Sequence, residues 1–211
     1  MYLSKLELDR NKPGVRQSLR NCQDMHRTIM KAFPQNNGER ARQELGILYR
    51  VHSAGNAIGL YVLSEIKPDF QLVFENGFVF NGCKDITEFI SSFEDGNYYS
   101  FDVLLNPSKK VPRADGGNSR RTILKSSEER SDWLKRKAEV SGFSLEWFRE
   151  EGSQKIFGRH GESAGGEMYI DCIRFKGVMK ITNSLVFSDV YKKGIGSDKA
   201  YGLGMLLLGK C

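Results

Sequence analysis

Twice along this chain the apolar period switches between two and about 3.6 residues in the same order, strand, helix, strand, strand, helix, strand. In the first pass, Tyr2–Leu8 alternates like a strand, and "NKPG" then turns the chain. Val15, Leu19, Cys22, His26, Ile29 and Phe33 follow at spacings of four, three, four, three and four, which predicts one amphipathic helix ended by Pro34. Gly46–His52 and Ile58–Ile66 read as two strands, "KDITEFISSFEDG" as a short helix and "YYSFDVLL" as a strand.

The second pass begins after the loop "NPSKKVPRADGGNSRR" with the short strand "TILK". A helix over Ser127–Val140 follows, capped by Ser126 or Ser127, and then the strand "SLEWFRE". "MYIDCIRFKGVMKI" is a long strand or bent hairpin; "NSLVFSDVYKKG" is a helix capped by Asn183 or Ser184 and closed by Gly194; "MLLLG" is the last strand. The expected fold class is α+β, two tandem ferredoxin-like domains over 1–105 and 106–211, with the boundary near Asn106. The halves share no evident sequence identity, and the fold hosts many unrelated functions.

Composition narrows the classes. The 211 residues are enough for a sizeable core, and no apolar run approaches the ~18 residues of a membrane helix. The opening "MYLSKLELDR" lacks a signal peptide's apolar stretch, so the expected location is cytoplasmic, without a membrane partner. Cys22, Cys83, Cys172 and Cys211 form no CxxC pair, and His26, His52 and His160 lie far apart, so neither a metal site nor a cofactor is called for. The net charge of +6 favours a polyanion such as nucleic acid.

The charge is clustered. Arg16, Arg20, Arg27 and Lys31 form a basic stripe beside the apolar face that carries His26. A histidine on that edge can meet a phosphate and exchange protons near neutral pH, or it can be a satisfied core residue. Lys109, Lys110, Arg113, Arg120, Arg121 and Lys125 surround one acid, Asp115; this is either a phosphate-binding loop or a solvated one. "GRHGES" places Arg159 and His160 at an apparent hairpin tip. Finally, "GIGSDKAYGLG" sets Gly194, Gly196, Gly202 and Gly204 around Lys199. Its order, after a helix and before a strand, fits neither a Rossmann fingerprint nor a P-loop. A helix cap explains Gly194 and Gly196, whereas close approach to an RNA backbone explains all four with Lys199.

With these pieces the chain resembles the CasE family of CRISPR RNA-processing endoribonucleases within the repeat-associated RAMP class. The resemblance rests on "MYLSKLELDR", "MHRTIMKAFP", "NPSKK", "DWLKRK" and "FKGVMKI...GIGSDKAYGLGMLLL", in that order over the whole chain. It implies a tandem ferredoxin-like fold with His26 catalytic and the CRISPR repeat hairpin RNA as substrate. The implied reaction is metal-free attack of a 2′-hydroxyl at the 3′ base of the hairpin, leaving a 2′,3′-cyclic phosphate and a 5′-hydroxyl. Retention of the product within Cascade, beside its other subunits, is also implied; the isolated protein is expected to be a monomer. Expected RNA contacts are Arg27, Lys31, Lys109, Lys110, Arg113, Arg120, Arg121, Arg159, Lys199 and Gly202. Family members often carry tyrosine three residues before the histidine, where this chain has Gln23. His26 then works with a lysine or water, or another residue substitutes, or turnover is slower. The competing readings are a non-catalytic RNA-holding subunit of the same superfamily and a small-molecule enzyme that uses the glycine loop for a nucleotide phosphate.

Overall fold

The computed structural model describes residues 1–34, 41–55, 57–71, 73, 77–112, 120–159 and 166–211, without the side chains of Ala54 and Arg120. Arg113 and His160 lie outside the described residues, as does the side chain of Arg120.

The first sheet is built from β1 (Tyr2–Leu8), β2 (Leu48–Ala54), β3 (Ala57–Ser64) and β4 (Phe78–Asp85) in the order β2-β3-β1-β4, antiparallel throughout. Helices α1 (Pro13–Arg20), α2 (Cys22–Met30) and α3 (Ala41–Glu44) lie between β1 and β2. One face of this sheet, including Leu6, Leu60, Val62 and Tyr49, joins Val15, Met25, Ile29 and Phe33 in a buried core. β1 alternates because one face is dry, so Lys5 and Glu7 point outward while Leu6 and Leu8 point in.

The second sheet takes β5 (Tyr98–Leu105), β8 (Phe143–Arg159), β9 (Glu167–Ile181) and β10 (Leu207–Lys210) in the order β10-β5-β9-β8. Its helices are α5 (Ser127–Val140) and α6 (Ser184–Lys193). Phe101, Val103, Phe175 and Met179 pack with Trp133, Leu134, Phe187 and Tyr191 in the larger core. Ser126 accepts a hydrogen bond from the Glu129 amide at 3.1 Å, and Asn183 accepts one from the Val186 amide at 3.1 Å, so the caps are Ser126 and Asn183. Between β5 and α5, β6 (Ser108–Val111) pairs with β7 (Arg120–Ile123) as a separate ribbon. α4 (Thr87–Ser91) links the sheets, and its Ile90 belongs to the larger core. Both sheets have the ferredoxin-like strand order. Among the described residues no helix is long and apolar enough to cross a membrane.

Three sequence expectations are corrected. The sheets do not divide after Leu105: Tyr98–Leu105 pairs with β9 and β10, so the changeover falls between Asp85 and Tyr98. The first sheet is completed instead by Phe78–Asp85, which sits at its edge. The long helix expected over Val15–Phe33 is two helices, because Asn21 adopts an extended conformation (φ −133°) and caps α2 with its side chain. Leu19, expected on the core face, is consequently exposed.

Candidate active site

The break at Asn21 aims α2. The Asn21 carboxamide oxygen accepts from the Gln23 amide and from the Arg159 amide, each at 3.1 Å. One side chain thus starts the helix and ties it to the end of β8. Gly158 lies against the same turn, where a Cβ would meet Cys22 Sγ at 2.7 Å. The His26 helix is in this way clamped between the two sheets.

One turn further along α2, His26 opens into a cleft of about 590 Å³ shared with Arg42, Gln43, Gly196, Ser197, Asp198, Lys199 and Ala200. His26 is half-buried rather than sealed in the core. Burial, and next the nearby Arg42 guanidinium, hold its pKa below 6.5, which favours neutral imidazole at neutral pH. Burial, and then Arg42, Lys137 and Lys193, likewise lower the Lys199 ammonium from its usual 10.5. Asp198, the one acid of the cleft among the described residues, is engaged: Asn106 Nδ2 donates to it at 2.9 Å and Ser197 Oγ at 2.8 Å. The cleft therefore offers a proton acceptor, a proton donor and a fixed cation, a set suited to general acid–base chemistry on an anion.

The glycine loop holds this arrangement. The Ile195 amide donates to the Gly204 carbonyl at 2.8 Å, and an added Cβ at Gly204 would collide with the Ile195 carbonyl oxygen. A Cβ at Gly202, which is buried, would meet the Tyr49 ring at 3.0 Å. The backbone approach expected from RNA is thus the protein's own: Gly194, Gly202 and Gly204 let the loop fold against itself and against β2. The result is a short 3₁₀ turn, Lys199–Tyr201, presented beside α2. Gln23 Nε2 donates to the Tyr201 hydroxyl at 2.9 Å, so the turn brings a tyrosine to the helix position where the resemblance expected one.

The other expected contacts divide. Arg27 is exposed and paired with Asp24, and Lys31 is exposed at the end of α2. Arg159 is exposed where β8 meets Asn21. Lys109, Lys110 and Arg121 stand exposed on the β6–β7 ribbon, where Lys110 is opposite Arg121 and Lys109 pairs with Glu129 at 3.1 Å. The ribbon is rooted at Asn106, the residue bound to Asp198, which sets its base beside the cleft. Arg42 and Gln43 were missed by sequence reading: they fall in a charged stretch without apolar periodicity, and the fold alone carries them to His26. All four cysteines are unpaired, and burial pushes the thiols of Cys22 and Cys172 up to about 11 and about 12. Among the described residues no group of three or more His, Cys, Asp or Glu is placed to hold a metal ion.

The model of a family described as CRISPR associated protein matches residues 1–210. The CRISPR-associated endoribonuclease Cse3 of Thermus thermophilus is 28% identical over 221 residues, covering 98% of both chains. A structure of CRISPR endoribonuclease Cse3 bound to a 19-nucleotide RNA superposes with a TM-score of 0.84 at 26% identity, covering 99% of this chain and 100% of that one. A chain of a CRISPR RNA-guided surveillance complex, at 21% identity and full coverage of both chains, shares the fold with a TM-score of 0.76.

Proposed function

Since the chain belongs to the family of CRISPR-associated proteins, matched over residues 1–210, we propose that it is an endoribonuclease acting on CRISPR repeat hairpin RNA. The observation that carries the reading is the convergence of His26, Arg42 and Lys199 on one open cleft. The likeness to Cse3 in sequence, and to its RNA-bound structure, supports it. A buried histidine with the glycine loop turned away would have favoured a subunit that only holds RNA; His26 instead shares its cleft with residues 196–200.

The reaction in this proposal needs no metal. Neutral His26 accepts the proton of a ribose 2′-hydroxyl, whose oxygen attacks the adjacent phosphorus. Arg42 and Lys199 face the charge that grows on the non-bridging oxygens. The P–O5′ bond breaks, and the departing oxygen takes a proton from the imidazolium or from Lys199, whose depressed pKa makes it a better acid. The products are a 2′,3′-cyclic phosphate and a 5′-hydroxyl. Gln23, at the position of the missing helix tyrosine, is held by Tyr201, whose hydroxyl accepts from it and lines the neighbouring cavity rather than the His26 cleft. Arg27, Lys31 and Arg159 line the approach to α2, while Lys109, Lys110 and Arg121 on the ribbon track the stem phosphates by shape. The cut falls at the 3′ base of the hairpin, and the protein keeps the product as a subunit of Cascade.

The test is the chemistry of the ends. Cleavage of the cognate hairpin should leave a 3′ fragment with a 5′-hydroxyl, and a single 2′-deoxy substitution 5′ of the cut should abolish it. A 5′-phosphate end, or unimpaired cleavage of the deoxy substrate, contradicts the mechanism.

A further inference from the structure

A second group of charges lies away from His26, where the two sheets face each other. Asp102 on β5 is shared between Arg50 of β2 and Arg174 of β9; Arg174 reaches it through Nε at 3.1 Å and Nη2 at 2.5 Å. Glu151 is shared by Lys176 at 2.8 Å and Arg149 at 2.5 Å. Four cations (Arg50, Arg149, Arg174 and Lys176) thus meet two anions (Asp102 and Glu151), an excess of two positive charges before His52 is counted. His52 Nδ1 is 3.3 Å from Arg174 Nη2.

The cluster is not internally satisfied. The Arg50 side chain is 3% exposed, and its Nε and Nη1 groups have no hydrogen-bond partner among the described residues. Leaving charged donors unpaired in a buried position is costly, and an arginine fork is suited to a phosphate. Arg50, His52 and Arg174 wall a cavity of about 240 Å³ whose rim is the exposed bulge Gly152, Ser153 and Gln154. Val51, Leu104 and Gln154 also line a neighbouring cavity of about 270 Å³ that runs to Arg20, Cys22, Tyr201 and Gly202. The charged pocket is therefore one end of a groove whose other end touches the turn that carries Lys199. The stretch between holds the half-buried rings of Phe157 and Tyr201, faces on which bases can stack.

We propose that the pocket walled by Arg50, His52 and Arg174 binds a phosphodiester of the single-stranded RNA flanking the hairpin, as a site separate from the His26 cleft. The proposal rests on the hairpin reading for its substrate, but the pocket's chemistry, a buried and a partly exposed arginine open to an aromatic-lined groove, stands independently. A strand entering this groove would be gripped by backbone and base faces and so without strict sequence readout.

Three RNAs test it: the bare hairpin, the hairpin with a single-stranded flank, each with 2′-deoxy at the expected cut, and the flank oligonucleotide alone. Ser153→Asp and Gln154→Glu place a negative charge on the exposed rim without touching the buried pairs; Arg50→Met removes the unpaired donors, with its melting curve recorded alongside. The rim variants should weaken flanked hairpin and free flank about tenfold, leave the bare hairpin unchanged, and flatten the salt dependence of the flank's contribution by about 0.7 per phosphate lost. A flank that adds no affinity to wild type, or variants that weaken all three RNAs equally, overturns the proposal and leaves an acidic side chain of a partner subunit as the alternative occupant. If the bare hairpin fails to bind while the free flank still responds to the rim variants, the hairpin reading falls and this site stands.

Discussion

Replacing Asn21 by alanine should cost the protein both its helix start and its clamp. The Asn21 oxygen satisfies two amides, Gln23 at the first turn of α2 and Arg159 at the end of β8, both at 3.1 Å. Loss of an asparagine cap costs about 1 kcal/mol, and loss of the cross-link to β8 about 1 kcal/mol more. A total of about 2 kcal/mol lowers Tm by about 4–8 °C in a chain of this size. Alanine also removes the obstacle to continuous helix across residue 21, which would swing His26 out of its cleft. Cleavage should then fall further than hairpin affinity. Asn21→Ser keeps a capping acceptor oxygen without placing a second carboxylate beside Asp24, to which Asn21 Nδ2 donates at 3.1 Å, and should retain the helix-start part of the stability. Thermal melts of the three proteins, with single-turnover cleavage, decide the matter. If Asn21→Ala melts within about 1 °C of wild type, or if serine is as damaging as alanine, the clamp argument is wrong.

Other outcomes follow from the same geometry. Burial and Arg42 hold the His26 pKa below 6.5, so the unfolded chain takes this proton first. The stability owed to neutral His26 is therefore complete above about pH 6.5 and declines as pH falls from there through the folded pKa. Arg42→Met should raise that folded pKa, visible in an NMR titration of the imidazole, and move the acid limb of kcat/KM to higher pH. Lys199→Met should slow cleavage about 10²-fold with a smaller loss of RNA affinity, as removal of a transition-state donor does; equal losses in both would make Lys199 a binding residue. Gly204→Ala adds a side chain at φ +82° against the Ile195 carbonyl and should destabilise by about 1–3 kcal/mol in urea melts.

The strands and helices visible in the sequence were those with one dry face. Tyr2–Leu8 alternates because Ser4, Leu6 and Leu8 are buried against a core, and the caps at Ser126 and Asn183 are local chemistry. Phe78–Asp85 was illegible because it is an edge strand with only Phe78 buried, so no alternation is impressed on it. That omission moved Tyr98–Leu105 into the wrong sheet, since its true partners lie far along the chain in β9 and β10. The break at Asn21 was masked by an apolar period that runs straight through it, although asparagine followed by Asp24 three residues on is itself a start signal. Within the site, His26 and Lys199 were legible from their neighbours. Arg42, Tyr201 and the Arg50–Asp102–Arg174 cluster were not, because only tertiary packing gives those residues their company.

The central claim is that His26 performs the proton transfers of a metal-free cleavage. Its most direct test is single-turnover cleavage of the cognate repeat hairpin in excess EDTA by wild type and His26→Ala. The account predicts cleavage by wild type and near-complete loss in the variant, with hairpin affinity preserved. Cleavage that survives in His26→Ala, or tight binding by wild type without cleavage, would contradict it.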